Sequence, residues 1–243
     1  TKMASGGLFS LPGNISSQYI SGLLMAAPLL DQDVEIRLTT HLESANYVDM
    51  TISTMHQFGI EVKRSGNSFF VRSGQHYRSP GQAVIDGDWS NSAFWLAAGA
   101  VAGPICCSGL SMDSAQGDRQ IISLLESAGA SIYYNSSKVA VLRGPLKAQQ
   151  INAAHIPDLV PILAVLASVS SGITEIQNVS RLQLKESDRF HSVPALLTAL
   201  GADIRIEGDS FLIRGKSKLS GGSVSSCNDH RLAMAAAIAA CVC

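Results

Sequence analysis

An internal repeat of about seventy residues restricts the fold of this chain more than any other feature, because a repeated unit has to bury its apolar faces against its neighbours. Three segments place a glycine between apolar residues: Gln57-Phe58-Gly59-Ile60-Glu61-Val62, Ser127-Ala128-Gly129-Ala130-Ser131-Ile132 and Ala199-Leu200-Gly201-Ala202-Asp203-Ile204. Their glycines lie 70 and 72 residues apart. A second marker, an arginine closing an apolar run, follows at Arg72, Arg143 and Arg214, at intervals of 71 residues. Two markers with one period argue against coincidence.

Within each unit the hydrophobic period changes in a fixed order. A short strand (7–11; 83–85) leads through a polar loop into an apolar helix (18–30; 93–102), and a second strand follows (34–38; 105–109; 174–179). Another helix starts near Asp49, Asp118 or Asp188 and ends before the shared glycine, which suits a left-handed position just past a helix. Two strands joined by Asn/Ser/Gly turns, such as Ser65-Gly66-Asn67, close the unit. The predicted order is βαβαββ, an α/β (α+β) fold in which the first helix of each unit, apolar nearly all round, is enclosed. Full units span 7–78, 82–146 and 149–216, and a fourth opens at Gly221; turn formers at Arg78-Ser79-Pro80-Gly81 mark the domain boundary, giving domains 1–80 and 82–243.

Composition narrows the function. With 46% hydrophobic residues among 243, the chain has ample material for one large core or two moderate ones. A net charge of −1 offers no basic excess for a nucleic-acid backbone. The apolar stretches 159–169 and 232–242 are too short for a bilayer span, which needs ~20 residues. Five cysteines, without a CxxC pair, read as free thiols in a reducing cytoplasm. A start without Met and a stop at Cys243 inside an apolar helical pattern predict missing sequence at both ends.

Four polar constellations open onto apolar helices. Pro12-Gly13-Asn14-Ile15-Ser16-Ser17-Gln18 offers free backbone N–H groups, hydroxyls and an amide to a phosphate, or supplies an ordinary N-cap. His155-Ile156-Pro157-Asp158 either complements a helix dipole or places Asp158 as a general base. In Lys185-Glu186-Ser187-Asp188-Arg189, Lys185 and Arg189 share a face if helical, a repulsion that an anion between them would relieve. Glu186 would then sit ready to exchange protons, whereas Asp188, recurring as Asp49 and Asp118, reads as a structural cap. Arg231 in Asn228-Asp229-His230-Arg231 either grips an anion or makes a surface salt bridge.

Taken with Glu-Ser-Ala-Asn-Tyr-Val-Asp-Met-Thr (43–51), Leu-Lys-Glu-Ser-Asp-Arg (184–189) and Asn-Asp-His-Arg-Leu-Ala-Met (228–234), these motifs resemble, in order and spacing, the EPSP synthase branch of the enolpyruvyltransferases. The resemblance spans nearly the whole chain. It implies two domains of three such units each, with the active site in the cleft between them, and transfer of the enolpyruvyl group of phosphoenolpyruvate to the 5-hydroxyl of shikimate 3-phosphate. Carried over residue by residue, Ser16, Ser17 and Gln18, with Ser44 and Tyr47 nearby, bind shikimate 3-phosphate. Asp158 and Lys185 manage the attacking hydroxyl, Glu186 serves proton transfer at the methylene, and Arg189 and Arg231 hold phosphoenolpyruvate with His230 adjacent. The resemblance further implies no metal or other cofactor, a monomeric parent enzyme without nucleic-acid or membrane partners, and a bacterial cytoplasm, or a plastid if the source is a plant. The family's N-terminal Lys-Ser motif, its glycine-rich stretch and its C-terminal lysine are absent, and Arg181 stands where relatives often have asparagine. An intact catalytic site is therefore not expected from this chain alone. Two alternatives stand beside this reading: UDP-N-acetylglucosamine enolpyruvyltransferase, which depends on a reactive loop cysteine, and a non-catalytic ligand-binding fragment.

Overall fold

The computed structural model describes residues 5–243. They form two compact units: one reaches Ile85 and includes Ala115–Gly117, and the other comprises Asp86–Ser114 and Asp118–Cys243.

In the first unit the chain runs β1 (Gly7–Leu11), α1 (Ser17–Ala26), β2 (Val34–Leu38), α2 (Ala45–Gln57), β3 (Val62–Ser65) and β4 (Ser68–Val71), the expected βαβαββ order. The sheet order is β1-β2-β4-β3, with β1 and β2 parallel and the other pairs antiparallel. Alternation in β2 sends Val34, Ile36 and Leu38 into a core shared with Ile20, Leu24, Val48 and Phe69. α1 departs from the enclosed helix that its composition predicts. It buries only Ser17, Ile20, Ser21 and Leu24 and leaves Tyr19 and Met25 exposed, because α2 and the sheet cover one of its sides within this unit.

The second unit contains α3 (Trp89–Val101), β5 (Ile105–Ser108), α4 (Ile121–Ala128), β6 (Ser131–Tyr134) and β7 (Lys138–Leu142), then β8 (Gln150–Asn152), α5 (Val160–Val169), β9 (Ile173–Gln177), α6 (Arg189–Ala199), β10 (Asp203–Glu207), β11 (Ser210–Arg214) and α7 (His230–Ala239). Its sheets are ordered β5-β7-β6 and β10-β11-β9-β8. The strand expected at 83–85 does not form: Val84 and Ile85 are almost fully exposed and pair with no strand among the described residues. Two helices fulfil the expectation of enclosure or approach it, whereas α7 buries only four of its ten residues. α5 buries nine of its ten residues and α3 ten of thirteen, and both pack pairwise with each other and with α7. A helix with no polar stripe has no face to leave in water.

The three repeat glycines adopt positive φ, at 83° for Gly59, 104° for Gly129 and 86° for Gly201, as the helix-ending role predicts. Of the recurring aspartates, Asp188 accepts from His191 N as the N-cap of α6, in keeping with its sequence reading. Asp49 instead lies inside α2, and Asp118 sits on a short 3₁₀ turn, Gly117–Gln120, where it caps no helix.

Candidate functional site

In the first unit, two helix starts are tied side by side. Thr40 Oγ1 accepts from Gly13 N (2.9 Å) and donates to Asn14 Oδ1 (3.0 Å), while Glu43 N donates to Gly13 O (3.1 Å). Gly13 is needed for this approach, since a Cβ there would lie 2.8 Å from His41 O. Ser16 is the N-cap of α1 and accepts from Gln18 N at 3.3 Å. Ser44 holds the left-handed N-cap position of α2 at φ 53° without a side-chain cap bond. Ser17, Gln18 and Tyr47 line one cleft of about 620 Å³, walled by Met25, Met50 and Phe58. The structure thus brings the five sequence-selected residues of this unit to neighbouring helix starts, where the positive end of the helix dipole favours an anion.

In the second unit the selected residues converge on Arg189. Its side chain is fully buried at the start of α6, with every guanidinium nitrogen committed to a carboxylate. Nε donates to Asp229 Oδ2 (2.7 Å), Nη2 to Asp229 Oδ1 (3.1 Å) and Glu186 Oε2 (2.6 Å), and Nη1 to Asp158 Oδ1 (2.7 Å). Lys185 Nζ lies 3.3 Å and Arg231 Nε 3.6 Å from the same Asp158 oxygen. Lys185 and Arg189 do not share a helical face as the sequence suggests, because Lys185 is extended (φ −94°, ψ −172°) and α6 begins only after the Asp188 cap. Asp158, contributed by the turn before α5, is the anion that reconciles them. His230 is exposed at the start of α7, and no ion pair joins it to this cluster among the described residues.

The electrostatics follow from the contacts. Burial pushes the Asp158 carboxyl up, but Lys185, Arg231 and Arg189 outweigh it and hold it below the usual carboxylate range. Burial acts likewise on Asp229, and there the Arg189 bonds, with Ser187 and the Arg231 N–H, win and bring it down to about 2. Burial tends to strip the Arg189 proton, yet Asp229, Asp158 and Glu186 raise its affinity for it. Arg231 keeps Nη1 buried without a hydrogen-bond partner among the described residues.

Sequence reasoning named Asp158, Lys185, Glu186, Arg189 and Arg231 but passed over Asp229, which caps α7 by accepting from Arg231 N and anchors Arg189. A signal was present: an arginine beside Phe190 and Val193 on a helix that packs into a core needs a buried carboxylate, and Asn228-Asp229 before α7 supplies one.

Residues 2–243 match the family model described as EPSP synthase (3-phosphoshikimate 1-carboxyvinyltransferase). The 3-phosphoshikimate 1-carboxyvinyltransferase of Clostridium acetobutylicum is 47% identical over 240 residues, covering 98% of this chain and 55% of the relative. That of Methanocorpusculum labreanum is 44% identical over 239 residues, covering 98% and 56%. The chain thus spans about half the length of the curated relatives it matches. A solved EPSP synthase from Acinetobacter baumannii is similar at a TM-score of 0.79 and 23% identity, over 98% of this chain and 56% of that one, which shows a shared fold.

Proposed function

This chain belongs to the EPSP synthase family, and we propose on that premise that it serves transfer of the enolpyruvyl group of phosphoenolpyruvate to the 5-hydroxyl of shikimate 3-phosphate, with release of phosphate. The observation that carries the proposal is the cluster in which Lys185, Arg189 and Arg231 meet Asp158. Such a group can gather an anion and offer both an acid and a base.

In this reading Ser16, Ser17 and Gln18 seat shikimate 3-phosphate with Ser44 and Tyr47. Asp158, kept ionised by its three cationic neighbours, accepts the 5-hydroxyl proton under the guidance of Lys185. The hydroxyl oxygen bonds to C2 of phosphoenolpyruvate while C3 gains a proton, giving a tetrahedral ketal phosphate. The C2–O bond to phosphate then breaks and C3 loses a proton, leaving the enol ether. Arg189 and Arg231 hold the phosphoenolpyruvate anion, and His230 flanks them. Arg189 Nη2 donates to Glu186 Oε2 at 2.6 Å. An incoming anion takes that place on Nη2, so that seating phosphoenolpyruvate releases Glu186 for proton transfer at C3.

Isothermal titration with shikimate 3-phosphate, phosphoenolpyruvate and both together, beside a phosphate-release assay, tests the proposal. Binding of shikimate 3-phosphate that is lost in Ser17→Ala supports it; a chain that binds neither ligand and releases no phosphate refutes it. Where turnover is seen, Glu186→Gln is expected to lower it ~10²–10⁴-fold with phosphoenolpyruvate affinity little changed.

A further inference from the structure

Asp118 has no part in the roles above, and its surroundings are not those of a structural cap. Of the three repeat-related aspartates, Asp49 pairs with Arg64 at 3.4 Å and Asp188 caps α6, both half exposed, whereas Asp118 is 1% exposed. Its Oδ2 accepts from the hydroxyl of Ser90, in the first turn of α3. Its Oδ1 is buried without a hydrogen-bond partner among the described residues, a costly state for an ionised carboxylate. The charged groups acting on it belong to the cluster around Arg189: Asp158 before α5, Arg231 on α7 and Lys185 ahead of α6. Arg231 shows the complementary defect, a buried Nη1 with no acceptor among the described residues.

The charge balance gives this pair of defects a meaning. With Asp118 ionised, four carboxylates (Asp118, Asp158, Glu186, Asp229) face three cations (Lys185, Arg189, Arg231), an excess of negative charge where an anion is to be received. A proton on Asp118 removes the excess and gives the carboxyl a donor. We infer that Asp118 is a positioning residue that takes up a proton as an anionic ligand is seated by Lys185, Arg189 and Arg231, so that these cations are spent on the ligand rather than on a neighbouring carboxylate. The inference rests on the anion-binding reading of the cluster. Burial already pushes the Asp118 carboxyl up to about 6, Asp158 adds to this, and Ser90, Arg231 and Lys185 oppose it. An arriving anion acts in the direction of Asp158 and raises it further.

Calorimetric titration of phosphoenolpyruvate and of inorganic phosphate into the full chain, in buffers of different ionisation enthalpy near pH 7, counts the protons bound. Uptake approaching one proton per ligand is expected for the parent protein and its loss in Asp118→Asn, with binding retained. A purely structural role would leave the buffer dependence unmoved. Equal uptake in Asp118→Asn, or binding by the parent protein without uptake, overturns this inference alone; absence of binding by the parent protein overturns the anion-site reading together with it. Should Asp118→Asn fail to fold, carbon-13 carboxyl spectra of the aspartate-labelled parent protein decide. A resonance titrating near about 6 that moves upward with ligand supports the inference, and its absence sinks it.

Discussion

Arg189 shows how a single side chain organises its surroundings. Four hydrogen bonds to three carboxylates hold its charge in a fully buried place. Removing one buried partner leaves an uncompensated ion, so Asp229→Ala is expected to cost ~3–5 kcal/mol in chemical denaturation. Asp229 and Asp118 pull in opposite directions with pH. Asp229, depressed to about 2, contributes stability that is present above the ordinary aspartate pKa and lost as pH falls from about 4 towards 2. Asp118, raised to about 6, carries a burden above that value that is relieved as pH falls towards 4. Denaturation midpoints of the second unit should therefore rise on mild acidification from pH 7 to 5, by up to ~2 kcal/mol, and fall steeply below 4; a monotonic decline from neutrality would contradict this assignment. Lys185 and Arg189 were legible as cations in need of an anion. That Asp158, thirty-one positions from Arg189 along the chain, supplies it was not, because tertiary contact between loop starts leaves no periodic trace.

Element order was legible where hydrophobic period and turn chemistry agreed. The strands at 7–11 and 34–38 and the helix-ending glycines form as the pattern requires. The strand at 83–85 was misread: three consecutive apolar residues, Ala83, Val84 and Ile85, satisfy the pattern, but a strand exists only when a neighbour pairs with it. The shared glycines look equivalent in sequence and differ in the space around them. A Cβ at Gly59 would meet only the Arg78 side chain at 3.7 Å, while one at Gly129 would lie 2.8 Å from Pro145 O. Gly59→Ala should thus cost only the left-handed strain, ~1–2 kcal/mol, and Gly129→Ala should lower the melting temperature distinctly more, because backbone has to move as well.

At the scale of the whole molecule, the two units have hydrophobic cores with no residue in common: one gathers Leu24, Ile36 and Phe69, the other Trp89, Leu163 and Phe211. Such private cores predict two cooperative blocks in hydrogen exchange. Leu24→Ala should weaken protection in residues 5–85 and Leu163→Ala in 86–243, each by ~2–5 kcal/mol; equal loss in both blocks from either substitution would show one cooperative body. Composition left one large core or two moderate ones open, because the amount of apolar material does not say how it is divided. The join between the two units has its own consequence. Residues 79–85 are exposed throughout and belong to no helix or strand, with Val84 95% and Ile85 87% accessible. Neither core loses a side chain if the backbone is interrupted there, so this is the stretch where a protease would nick first and where foreign sequence could be inserted at least cost to either fold.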